Sequence, residues 1–90
     1  MAKRIRKLSA EEKAAHKTLA ALLAEELPAR GMKRGLTRFR QRRAESERFA
    51  AKQWAKYQAE GGEEGTGKPF LQWLRDNLPA IIAFIMSLFA

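Results

Sequence analysis

From Gly62 to Lys68 the chain reads Gly-Glu-Glu-Gly-Thr-Gly-Lys, which fills the first seven positions of the phosphate-binding loop pattern GxxxxGK followed by Ser or Thr. In such a loop the backbone amides cradle phosphates, the lysine neutralises them, and the closing hydroxyl holds magnesium. Here Pro69 stands where the hydroxyl is needed, two glutamates stand where phosphate oxygens approach, and no strand pattern precedes the segment. Residues 61–69 are instead expected to form an acidic, glycine-rich linker. Other chemistry is equally short of parts. The chain has one histidine, His16, and no cysteine, so neither a thiolate site nor a histidine cluster can be assembled. No histidine is expected close enough to activate Ser9, Ser46 or Ser87, and the carboxylates are expected in helix turns rather than an apolar cleft. No metal, no cofactor and no enzymatic activity are expected.

The cations are the residues that ask for a partner. The net charge is +8, and Arg30, Lys33, Arg34, Arg38, Arg40, Arg42 and Arg43 follow one another between residues 28 and 43 with no acid among them. Arg48, Lys52 and Lys56 then recur at four-residue spacing. Charges of the 28–43 run, which nothing local neutralises, favour an external polyanion, and with the basic face of Arg48, Lys52 and Lys56 these ten residues are the candidate polyanion contacts, for nucleic acid or anionic lipid. Recognition is expected to be non-specific. The chain has no helix-turn-helix glycine turn, no zinc ligand set and no aromatic sheet motif.

The elements that carry these residues are helical by composition: Ala, Leu, Glu, Lys and Arg dominate, and Gly and Pro gather in two short stretches. Ser9-Ala10-Glu11-Glu12 fits a capping box. Behind it Leu8, Ala15, Leu19, Leu22, Leu23 and Leu27 make one apolar stripe, so a first amphipathic helix is expected over about 9–27, ended by Pro28 and Gly31. Residues 28–36 read as a basic connector, and a second amphipathic helix over about 37–60 runs from Thr37 to Gly61-Gly62. It places Phe39, Ser46, Phe49, Ala50, Gln53, Trp54 and Tyr57 on one face and Arg48, Lys52 and Lys56 on the other. The expected organisation is thus a basic helical region over 1–60, the linker 61–69 and a hydrophobic C-terminal helix over about 70–90. That last helix is expected to be kinked or broken near Pro79. An all-α chain of this size gains little from its core and is either extended, partner-dependent or marginally folded.

Leu78 to Ala90 carry no charge, and Trp73, Leu74, Leu78, Ile81, Ile82, Ile85, Leu88 and Phe89 are the candidate contacts to a membrane or an apolar protein groove. A run of 13 residues reaches only about 20 Å as a helix, short of the ~30 Å hydrocarbon core. A shallow insertion with Trp73 at the headgroups is expected in its place, and Ala83 and Ser87 would let copies of the helix pack as a homo-oligomer. Met1 to Lys7 resembles the start of a signal peptide, but Glu11, Glu12, Lys13 and Lys17 occupy its apolar core, so no cleaved signal is expected.

A basic amino-terminal part followed by a short hydrophobic end resembles small bacteriophage proteins, both single-gene lysis proteins and minor internal virion components. The Leu-Ser dipeptide of the lysis type is reversed here, as Ser87-Leu88, and the resemblance carries no site residues. The expectation is a non-enzymatic structural or adaptor protein, viral or mobile-element in type. It would link nucleic acid or another polyanion to a membrane or apolar protein surface, located at a membrane or within a virion, on the cytoplasmic side if cellular. The alternatives are a membrane-active lysis protein or toxin whose basic part attracts anionic lipid, and a helical protein-interaction module.

Overall fold

Ser9 starts the first helix as its spacing predicts. Its hydroxyl accepts from the Glu12 amide at 3.1 Å and the Glu12 carboxylate accepts from the Ser9 amide at 2.9 Å, the two halves of a capping box. This is helix α1, Ala10–Ala29. The computed structural model describes residues 8–89, with side chains through Leu88. The signal-like stretch Met1 to Lys7 and the Phe89 side chain lie outside the described residues.

Pro28 does not end α1 but sits in its last turn. The stop comes at Gly31, with φ 72°. Its amide donates to the Pro28 carbonyl at 3.1 Å and the Met32 amide donates to the Leu27 carbonyl at 2.8 Å, which is the Schellman arrangement. Met32 and Leu27 both join the core beneath it. The basic connector expected over 28–36 is therefore short, because helix α2 already runs over Lys33–Gln41. The helix expected over 37–60 is correspondingly split: α2 ends at Arg42, whose φ of −98° and ψ of 62° are not helical, and α3 occupies Arg43–Ala59. A single helix over both would run about 40 Å, beyond the ~30 Å of α1. The bend keeps α2 against both α1 and α6.

Residues 61–69 are folded rather than an irregular linker. Gly62–Thr66 form a short helix, α4, closed by Gly67 at φ 70°. Gly61 and Gly65 pack so closely that a β-carbon on Gly61 would lie 2.6 Å from the Gly65 Cα. The Tyr57 hydroxyl donates to the Lys68 carbonyl, and the Lys68 ammonium pairs with Asp76. Hydrogen bonds from Lys68 and then Gln72 hold the Asp76 carboxyl below the usual range. Pro69 is the N-cap of α5, Phe70–Asp76, and α6 is Leu78–Phe89. The expected break falls at Asn77, whose side-chain amide donates to the Trp73 carbonyl at 2.7 Å and so finishes α5. Pro79, second in α6, occupies a position where no intrahelical donor is needed.

The chain is all-α, with six helices and no strand among the described residues. Leu19, Leu22, Leu23 and Leu27 of α1 share one core with Phe39 of α2, Phe49, Ala50 and Tyr57 of α3, and the buried residues of α5 and α6. The Cα radius of gyration, 13.4 Å, is close to the ~12 Å of a compact chain of this length. That value corrects the extended alternative: the apolar stripes find one another within the chain. The molecule is a slab of 43 × 33 × 18 Å.

Candidate polyanion interface

Helix α2 is the strongest carrier of charge. Gly35, Leu36 and Phe39 turn inward, which forces Lys33, Arg34, Arg38 and Arg40 outward. Lys33 and Arg34 lie in the first turn, where the helix dipole is positive, and no carboxylate stands there to offset them. Arg38 and Arg40 lie in the last turn, where a cation is favoured. On α3 the inward side is Ser46, Phe49, Ala50 and Tyr57, with Trp54 half-buried. Arg48, Lys52 and Lys56 form a row on the outside at about 6 Å intervals.

All ten candidate cations are exposed. Three of them have intramolecular partners: Arg30 pairs with Glu26, Arg42 lies 3.7 Å from Glu45, and Arg43 lies 3.2 Å from Glu47. These are exposed pairs within one turn or between adjacent turns, worth at most about 1 kcal/mol each and easily exchanged for another anion. The other seven, Lys33, Arg34, Arg38, Arg40, Arg48, Lys52 and Lys56, have no carboxylate within ion-pair distance among the described residues.

The second group of sequence-marked residues is placed differently. Trp73 is 3% exposed, with its indole N–H donating to the Glu60 carboxylate at 3.0 Å and its ring against Tyr57 and Phe70. In this fold it is a core residue with a polar handle, and its ring is not exposed at the surface. Leu74, Leu78, Ile81, Ile82 and Ile85 are buried as well. Of that group only Leu88 has an exposed side chain among the described residues, and the other exposed large apolar residues are Leu71, Phe84 and Met86. Sequence reading missed Phe84 and Met86 because they lie off the three-and-four stripe. The signal was the absence of charge from α6, which leaves its outward side uncharged whichever side that is. Among the described residues no helix is long and apolar enough to cross a membrane.

The remaining motifs make contacts within the fold. Contrary to the expectation that no histidine lies beside a serine, His16 reaches from α1 to α3 and sets its Nε2 3.2 Å from the hydroxyl of Ser46, which is buried, and its ring stacks on Phe39 at 5.9 Å. Burial holds its pKa below the ordinary 6.5; Glu47 opposes that shift and Arg43 adds to it. Three amides of the loop-like glycine segment have partners within it: those of Gly65 and Gly67 donate to the Gly61 and Glu63 carbonyls, and that of Lys68 to the Thr66 hydroxyl. They are not arranged as a phosphate cradle. Among the described residues no group of acids and histidines could hold a metal ion. The chain matches no protein-family model, no curated protein and no solved structure.

Proposed function

We propose that this protein is a small non-enzymatic adaptor or structural protein that binds nucleic acid without sequence preference through the outer sides of α2 and α3. Its uncharged C-terminal helix would be presented to an apolar partner. The observation that carries the reading is the set of seven exposed cations with no carboxylate partner among the described residues, four of them on a helix of nine residues. Cations held on a folded scaffold need no backbone ordering to meet phosphates, and the counterions they displace from the nucleic acid supply affinity without base contacts. Lys33 and Arg34 at the positive end of α2 cost the free protein a few tenths of a kcal/mol each, which an anion there would offset.

The reading places the protein among chains that organise a polyanion rather than among lysis effectors. An effector that inserts its C-terminal helix would have to draw Leu78, Ile81, Ile82 and Ile85 out of the core first. Gel retardation with duplexes of unrelated sequence tests the proposal. Similar affinities across sequences, weakening steeply with salt, are the expected result. Absence of retardation at low salt, or strong preference for one sequence, would refute it.

A further inference from the structure

Helices α3 and α6 approach through side chains alone, and Phe49 stacks on Phe84 at 5.0 Å across the gap. The recess above this stack is about 250 Å³. It is walled by Arg48 and Lys52 on one side and by Phe84 and Leu88 on the other. Phe84 is 48% exposed, Leu88 41% and Met86 37%. Along α6 the outward residues Ala80, Ala83 and Ser87 separate Met86 on one flank from Phe84 and Leu88 on the other. This ridge is about 12 Å long and its side chains carry no charge.

The borders of the ridge are cationic. On one side α6 rests on α2, where Met86 meets Gly35 and where Arg34 and Arg38, on the flank of α2 next to Gly35, are exposed. On the other side it faces Arg48 and Lys52, and at its end Arg42 donates to the Leu88 carbonyl. Glu45, the one acid among the described residues of the recess, lies within ion-pair distance of Arg42. A second exposed apolar spot, at Leu71, has a different character. Its recess is lined by Lys17, Glu25 and Arg75, with Arg75 3.6 Å from Glu25.

We propose that the α6 ridge, with its Arg48 and Lys52 border, is a docking face for an anionic lipid bilayer. Phe84, Met86 and Leu88 enter the headgroup boundary while the flanking cations meet lipid phosphates, and the fold stays intact. The inference rests on the reading above, that α6 presents an apolar side to a partner, and names that partner. Complementarity of charge selects it: an uncharged strip between cations matches an interface that is apolar below and anionic above. A second copy would bring like charges to the same borders. A seated partner helix about 10 Å across is too large for the recess. Docking is peripheral, because the core residues of α6 remain buried.

The test is flotation of the full chain with vesicles of phosphatidylcholine alone and of phosphatidylcholine with an equal part of phosphatidylglycerol. Co-flotation with the anionic vesicles, and much less with the neutral ones, is expected. Arg48→Gln with Lys52→Gln alters only exposed side chains and should lower partitioning roughly 30-fold. Phe84→Ser with Leu88→Ser should lower it by at least about tenfold, with duplex retardation retained and the circular dichroism spectrum unchanged. No flotation by a wild-type chain that still retards duplexes overturns the lipid face and leaves the nucleic-acid reading standing. Flotation without retardation does the reverse. Equal flotation with both vesicle types overturns the role of the cations. A dimer that Phe84→Ser with Leu88→Ser dissociates assigns the ridge to a second copy.

Discussion

Along α2 and α3 the charged residues that the sequence marks stay at the surface, whereas along α5 and α6 most of the apolar residues it marks are consumed by the chain's own core. The difference follows from what each residue type requires. An unpaired cation must remain in water whatever the fold, so its exposure is nearly independent of topology. An apolar residue needs only to leave water, and the nearest surface able to cover it can come from the same chain. Segregation of charge from hydrophobicity along a sequence therefore identifies a free cationic face more securely than a free apolar one.

The largest effect expected on this contrast comes from Ile85→Lys. Ile85 is fully buried, and an unpaired ammonium there should cost more than about 4 kcal/mol and abolish cooperative unfolding. A C-terminal helix held outside the core would instead leave the thermal transition in place. Leu23→Ala, at another fully buried site, should cost about 2–5 kcal/mol, while Arg38→Gln on the exposed side should stay within about 0.5 kcal/mol. Chemical denaturation measures both, and similar costs for the two would dissolve the distinction.

Smaller effects sharpen the same boundary. A β-carbon on Gly35 would meet Met86, Leu27 and Ile85 at ordinary contact distances of 3.6–3.9 Å. Gly35→Ala should therefore stabilise the protein by about 0.5–1 kcal/mol and tighten the junction of α2 with α6. A fall in the thermal midpoint would show that this junction is closer than described. His16 probes the contact of α1 with α3. Because burial holds its pKa below 6.5, the unfolded chain takes up the proton first as pH falls. The stability contributed by neutral His16 is complete above pH 6.5 and is lost as pH falls through the folded-state value. The thermal midpoint should drop below that pH more steeply for the wild type than for His16→Gln, and parallel profiles would contradict the burial of the ring.

The parts of the fold that could be read from the sequence are those with local causes. Ser9 and Glu12 announce the start of α1, and the leucine stripe announces its inward side. Asn77 and Pro79 mark the break between α5 and α6. The parts that escaped have tertiary causes. Gly35 suggested a connector, yet it lies inside α2 where the helix approaches Ile85 and Met86. The bend at Arg42 has no Gly or Pro to signal it. Gly61 and Gly65 suggested flexibility, but they are small so that the chain can fold back on itself. The cationic candidates were legible because any compact helical arrangement exposes them. Phe84 was not, because the same periodicity that identifies an inward side says nothing of what lies across a gap from the outward one.

The central claim is that unpaired cations on α2 and α3 meet phosphates. The slope of log affinity against log salt on duplex DNA, compared between the wild type and a variant with Lys33, Arg34, Arg38 and Arg40 all changed to Gln, tests it most directly. The variant should unfold at nearly the wild-type temperature, bind all sequences more weakly, and show a slope shallower by about 0.9 for each phosphate contact removed. A folded variant with an unchanged slope would contradict the account.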